Sequence, residues 1–174
     1  MGLILYSPIL GGILRVTSGY GTRIDPVTHQ VHTHEGIDLG VGTGTPVYAS
    51  AAGVVTSEWT DGVDKGAING NALKIDHGGG YATGYLHLSR KVVSKGAHVA
   101  AGQLIGYSGA TGRATGPHLH FIVWKNGVPV DPWPLVAWST LVASATTGVQ
   151  VWLWGAVIGG AIGLFLLARQ RFSR

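Results

Sequence analysis

Short apolar runs separated by glycine-bearing polar breaks set the pattern of this chain. Pro46-Val-Tyr-Ala49, Gly53-Val-Val-Thr56, Ala72-Leu-Lys-Ile-Asp76 and Leu119-His-Phe-Ile-Val123 are each too short for an ordinary helix. Their length, β-branched content and glycine flanks predict many short antiparallel strands. Asn126-Gly127 falls between the runs FIVW and VPV, the signature of a two-residue hairpin turn. Within the last long run, alternation puts His118 and His120 on one face and turns Leu119 into the core.

The pattern changes at the C-terminus. From Pro132 to Ala168 no residue carries a formal charge, and Val151 to Ala168 is almost wholly apolar. As a helix this segment spans about 27 Å, close to the thickness of a bilayer's hydrocarbon core. Trp152 and Trp154 mark one end, and Arg169, Arg171 and Arg174 the other, as an aromatic belt and a cationic anchor do. Gly155, Gly159 and Gly163 form a stripe that allows close helix pairing in lipid. The expected organisation is therefore a β domain over residues 1–134, an Ala/Ser/Thr-rich spacer over 135–150, a transmembrane helix over 151–168 and a basic tail over 169–174. The N-terminal run MGLILYSPILGGILR lacks a basic start and a small-residue cleavage site, and it is read as no signal peptide.

Composition narrows the chemistry. The chain has 174 residues, of which 11% are charged and 29 are glycine. That is too little charge for a coiled coil or a charged disordered chain. There is no cysteine, so thiolate nucleophiles, disulfides and Cys-ligated zinc are excluded. Of the 12 basic residues, three lie in the terminal tail, and the rest nearly balance the 8 acidic ones. The net charge of +4 thus belongs to a tail, and no nucleic-acid surface is expected.

Eight histidines remain to be placed. His118 and His120 could share a metal, or one could ligate while the other handles protons. His34-Glu-Gly-Ile-Asp38 offers an imidazole and a carboxylate that can converge where Gly36 lets the backbone bend. His34, Asp38 and His120 together would make a His-His-Asp set with a position left open, as catalytic zinc sites have. His87 sits between Leu86 and Leu88 in an alternating run and by itself reads as a surface residue.

In order along the chain stand Thr17-Ser-Gly-Tyr-Gly-Thr-Arg23, His34-Glu-Gly-Ile-Asp38, Gly44-Thr-Pro-Val-Tyr-Ala49 and Ile75-Asp-His-Gly-Gly-Gly-Tyr81. Tyr85-Leu-His87, Gly102-Gln-Leu-Ile-Gly106, Ser108-Gly-Ala-Thr-Gly-Arg113, Thr115-Gly-Pro-His118-Leu-His120-Phe and Asn126-Gly-Val-Pro-Val-Asp-Pro132 follow. In this order and spacing they resemble the lysostaphin-like (LytM-type) zinc metallopeptidases that cut peptidoglycan cross-bridges. The resemblance implies an antiparallel β metallopeptidase domain with one zinc ion held by His34, Asp38 and His120. It also implies His87 and His118 as the catalytic pair; the sequence does not say which of them is the base, and His118 is favoured because it neighbours a ligand. Tyr20, Arg23 and Tyr85 are expected along the substrate groove, and His77 as a structural residue. His32-Thr33-His34 is a decoy pair, since only His34 has an acid four residues on; His29, His32 and His98 are expected to face solvent. Ile122 departs from the family's pattern, where many relatives carry Glu, with an expected effect on the groove wall.

The resemblance implies peptidoglycan peptides as substrate, and the C-terminal segment a lipid membrane as a second partner. The expected setting is a particle-borne bacteriophage lysin; the alternative is a bacterial inner-membrane enzyme with its domain in the periplasm. Two other classes compete: a ligand-free binding or activating module of the same fold, and a purely structural membrane protein. Zinc content and cell-wall lysis separate the three.

Overall fold

A computed structural model of the chain describes residues 3–11, 14–24, 29–63 and 66–138. The strands in chain order are β1 (Leu5–Tyr6), β2 (Val16–Ser18), β3 (Gly21–Ile24), β4 (Val31–His34), β5 (Ile37–Leu39), β6 (Pro46–Tyr48) and β7 (Gly53–Trp59). A short helix, α1 (Gly66–Asn69), precedes β8 (Asn71–Gly78), β9 (Tyr81–Lys91), β10 (His98–Val99), β11 (Leu104–Ser108), β12 (Leu119–Lys125), β13 (Val128–Val130) and β14 (Val136–Ala137). The runs read from the sequence as strands are all strands here; three are extended by two or three residues, and that at Pro46 ends one residue earlier, at Tyr48. The hairpin turn is also as read. Lys125 pairs with Val128 across Asn126 and Gly127, whose φ angles of 52° and 81° are those a primed turn demands.

Among the described residues a ten-stranded sheet runs in the order β10-β7-β8-β9-β12-β5-β2, with β11 joining β9 to β6 and β13 on β12. Its pairings are antiparallel. One face carries the main core, where Leu39, Val47, Leu73, Ile75, Leu88, Ile105, Leu119, Phe121 and Val123 are shut off from water. The other face of the sheet carries a smaller cluster of Ala72, Leu86 and Ile122, with Trp59 and Trp124 packed on it. Ile122 therefore belongs to this cluster, and the cleft described below is not lined by it.

The domain boundary moves. Residues 135–138, read as the start of a spacer, are part of the fold. Val136 and Ala137 form β14 in parallel with Leu5 and Tyr6, and Val136 is buried in the main core. Trp138 stacks on Trp133, meets Phe121 edge-on and donates its indole N–H to the Trp133 carbonyl at 2.9 Å. A chain stopped after Pro134 is therefore expected to melt several degrees below one stopped after Trp138. Each large buried apolar side chain is worth about 1.5–3 kcal/mol. Parallel thermal melts of the two truncations measure the difference.

No helix among the described residues is long and apolar enough to cross a membrane. The expected transmembrane segment 151–168, its glycines Gly155, Gly159 and Gly163, and the basic tail lie outside the described residues.

Candidate metal centre and cleft

Strand register brings the first two site residues together. In the antiparallel pair of β5 and β12, His120 stands directly opposite Asp38, and its Nδ1 lies 2.7 Å from the Asp38 Oδ1. His34 ends β4, three residues before β5 begins, and its Nε2 lies 3.1 Å from the same carboxylate oxygen and 3.0 Å from His120 Nδ1. The turn between β4 and β5 passes so close to β12 that a Cβ on Gly36 would lie 2.3 Å from the Phe121 carbonyl oxygen. Only glycine permits that approach, which is why an imidazole and a carboxylate four residues apart can converge here.

Three donor atoms of an imidazole-imidazole-carboxylate set therefore face a common point. At zinc-ligand bonds of about 2.0–2.1 Å, tetrahedral donors are about 3.3 Å apart, so a slight outward spread admits the ion. The tautomer is set as well. His34 donates its Nδ1–H to the Gly19 carbonyl at 2.6 Å, leaving the Nε2 lone pair for a metal. The residues present fit one zinc ion with a fourth position open.

Two further imidazoles stand beside this set. His118 donates Nδ1–H to the Gly116 carbonyl and His87 donates Nδ1–H to the Thr111 carbonyl, each at 2.8 Å. In the neutral form of either ring Nε2 is thereby the nitrogen with the open lone pair. The rings lie 4.7 Å apart between centroids, and His118 Nε2 is 3.7 Å from Asp38 Oδ1. A cleft of about 690 Å³ opens over the group. Its walls come from β2, the β3-β4 hairpin, α1 and the loop between β11 and β12.

A model of Peptidase family M23 matches residues 32–132. The chain belongs to peptidase family M23. It is 45% identical over 118 residues to the peptidoglycan DD-endopeptidase ShyA of Vibrio cholerae serotype O1, covering 67% of this chain and 26% of that protein. A zinc-containing peptidase from Vibrio cholerae superposes with a TM-score of 0.65 at 40% identity, over 73% of this chain and 39% of its own. The catalytic domain of the antimicrobial peptidase lysostaphin from Staphylococcus simulans gives a TM-score of 0.59 at 33% identity, over 70% of this chain and 90% of its own. The chain thus spans about a quarter of the length of its curated relative. The stretch that matches the M23 model contains His34, Asp38, His87, His118 and His120.

Electrostatics in this M23 site follow from burial. Desolvation pushes the Asp38 carboxyl up, but hydrogen bonds and charge from His120 and His34 outweigh it and hold the group well below the usual carboxylate range. Asp38 is thus a permanent anion. Burial pushes the His87 imidazole down to about 4, with the Thr111 carbonyl opposing the shift and the charges of His118 and His120 adding to it. His87 is neutral at physiological pH.

Several expectations for the M23 groove need correction. Tyr85 is a core residue: it is fully buried against Phe121, accepts the Ser50 backbone N–H at 2.8 Å and shares a hydrogen bond with the Thr83 hydroxyl. Tyr20 is not among the cleft-lining residues; its hydroxyl donates to the Pro129 carbonyl at 3.0 Å. Arg23 does line the cleft. His87 is buried, not on the surface, and the reason is a bulge. β8 and β9 shift register between Asn71 and Leu73, and His87 takes a left-handed φ of 63°. That inserts a residue into the strand, so Leu86 enters the small cluster, Leu88 the main core, and His87 the site. The sequence alternation held no sign of it.

Of the remaining histidines, His29, His32 and His98 are exposed as expected, although His32 also lines the cleft. The groups missed altogether are the carbonyls of Gly19, Thr111 and Gly116 that orient three imidazoles, and backbone acceptors leave no trace in side-chain identity. His77 is structural: it donates Nδ1–H to the Ala52 carbonyl at 2.9 Å, and its Nε2 shares a hydrogen bond with the Thr83 hydroxyl.

His77 also supplies a pH prediction. Burial pushes its pKa below the ordinary 6.5, against the opposing Ala52 hydrogen bond and Asp76 charge. Below that pH the unfolded chain binds a proton that folded His77 refuses, so stability is full above about 6.5 and lost as pH falls. Urea melts from pH 8 to pH 5 are expected to show a shallower decline for His77→Gln than for wild type.

Proposed function

We propose that this chain is a zinc-dependent endopeptidase that hydrolyses peptide cross-links of bacterial peptidoglycan, of the D,D type named for ShyA. The observation that supports this most is the pair His87 and His118, each anchored through Nδ1 and so left with Nε2 for proton transfer, beside a ready His34-Asp38-His120 set in an open cleft. Zinc supplies Lewis acidity, polarising a peptide carbonyl and acidifying a water molecule.

The chain's own groups handle the proton. His118 takes it from the attacking water at Nε2, and the imidazolium so formed is stabilised by the Asp38 anion 3.7 Å away. The same nitrogen then delivers the proton to the leaving amine. His87 resists charge because it is buried, so it accepts a hydrogen bond from the water and orients it. An activating or binding module would have no use for this arrangement.

The deciding experiment is mass spectrometry of muropeptides after zinc-loaded full chain is incubated with purified sacculi. The expected result is conversion of cross-linked dimers to monomers, with one new amine and one new carboxyl per cut, and its arrest by a chelator. An unchanged dimer fraction would overturn the endopeptidase reading in favour of a binding module.

We also propose that residues 151–168 seat the enzyme in a lipid membrane, on the strength of their unbroken apolar composition and flanking Trp and Arg residues. Flotation of the full chain with liposomes is the expected behaviour. Recovery of all the protein at the bottom of the gradient would refute it.

A further inference from the structure

The cleft holds a cation with no evident structural task. Arg23 lies in β3 opposite His32 of β4 and lines the cleft. Among the described residues its Nε is closed off from water without an acceptor. A guanidinium serving as a strut of the hairpin would have its donors met by carbonyls or a carboxylate, because unmet buried donors are costly.

A second guanidinium lines the same cleft. Arg113 is carried on the loop between β11 and β12, which is pinned to α1. The Arg113 backbone N–H donates to the Ile68 carbonyl, and the Gly112 N–H donates to the Asp61 carboxylate, each at 2.9 Å. A Cβ on Gly112 would lie 2.2 Å from the Gly70 nitrogen, and one on Gly70 would lie 2.3 Å from the Thr111 hydroxyl oxygen. The loop that carries Arg113 is therefore rigidly placed. Among the described residues lining the cleft, Asp38 is the only carboxylate, and it belongs to the metal set. Arg23 and Arg113 stand on separate walls of the cleft, one on the β3-β4 hairpin and the other on the loop between β11 and β12.

Resting on the endopeptidase reading above, we propose that Arg23 is a specificity-determining residue that binds a free carboxylate of the substrate peptide. The planar guanidinium matches a carboxylate in a two-point contact. The occupant is then a cross-linked peptide bearing a free carboxyl group near the scissile amide. A peptide in which that carboxyl is a carboxamide makes a weaker complex.

The test uses zinc-loaded full chain and two synthetic cross-linked peptides that differ only in that group, carboxylate or carboxamide. Wild type is expected to favour the carboxylate peptide in kcat/KM by about 10- to 100-fold, the worth of one charge-assisted contact. Arg23→Gln should bring the carboxylate peptide down to the level of the carboxamide peptide, and Arg23→Lys should restore part of the preference. Equal loss on both peptides in Arg23→Gln would mean a structural role and overturn the proposal, as would a wild type that does not discriminate. Titration calorimetry with the same peptides reads the preference without turnover. If neither peptide is cut, the endopeptidase reading falls, and the ratio of affinities still decides the role of Arg23.

Discussion

Replacing His120 with alanine is expected to abolish stoichiometric zinc binding, and hydrolysis with it. Its Nδ1 is one of three donors facing a single point, 2.7 Å from Asp38 Oδ1 and 3.0 Å from His34 Nε2. Two protein ligands do not hold zinc in competition with water and buffer, so the ion is lost. Asp38→Ala and His34→Ala are expected to behave alike for the same reason. The loss has a second readout, because metal bound only to the folded state adds to its stability. At a zinc concentration 100 times the dissociation constant, that contribution is about 2.7 kcal/mol. The wild-type melting temperature should therefore rise with added zinc, while that of each ligand variant stays flat. Metal analysis after gel filtration, paired with melts with and without zinc, checks both. A His120→Ala protein that keeps one equivalent of zinc at wild-type affinity would show that the ligand set is wrong.

His118→Ala and His87→Ala should separate from the ligand variants by keeping their metal while turnover collapses. Neither imidazole belongs to the converging donor set, and each is tied through Nδ1 to a loop carbonyl. Removing the proton acceptor at His118 is expected to lower kcat by about 10²–10⁴-fold, the usual worth of general acid-base catalysis. His87→Ala should fall within the same range and also leave the Thr111 carbonyl without its donor. His32→Ala serves as the contrast. It lines the cleft without joining the donor set, and its zinc content and kcat are expected to stay near wild type. Metal-to-protein ratios beside single-turnover rates for the three variants decide the matter. Zinc missing from His118→Ala or His87→Ala would place that residue among the ligands.

Some of this site was legible in the chain because side-chain identity carried it. Short β-branched runs, an Asn-Gly turn and an HxH alternation are local signals, and local geometry follows from them. His118 and His120 had to share a face once Leu119 entered the core, and the absence of cysteine left only imidazole and carboxylate as metal ligands. The order and spacing of the histidine-bearing motifs carried the family, and with it the expectation that His34, Asp38 and His120 form one group.

What only the tertiary structure decided lies in contacts between segments distant in sequence. The register of β5 on β12 sets Asp38 opposite His120, and the close pass of Gly36 over Phe121 brings in His34. The bulge at His87 reversed its expected exposure, because one inserted residue resets strand alternation and no side-chain pattern announces it. Tyr85 left the groove for the core, and residues 135–138 left the spacer for β14, because each had an apolar surface to meet elsewhere in the fold. The carbonyls that set the imidazole tautomers come from loops whose path depends on everything packed beneath them. A chain can name its chemical groups one residue at a time, but which of them face one another depends on how the packed backbone pairs strand with strand.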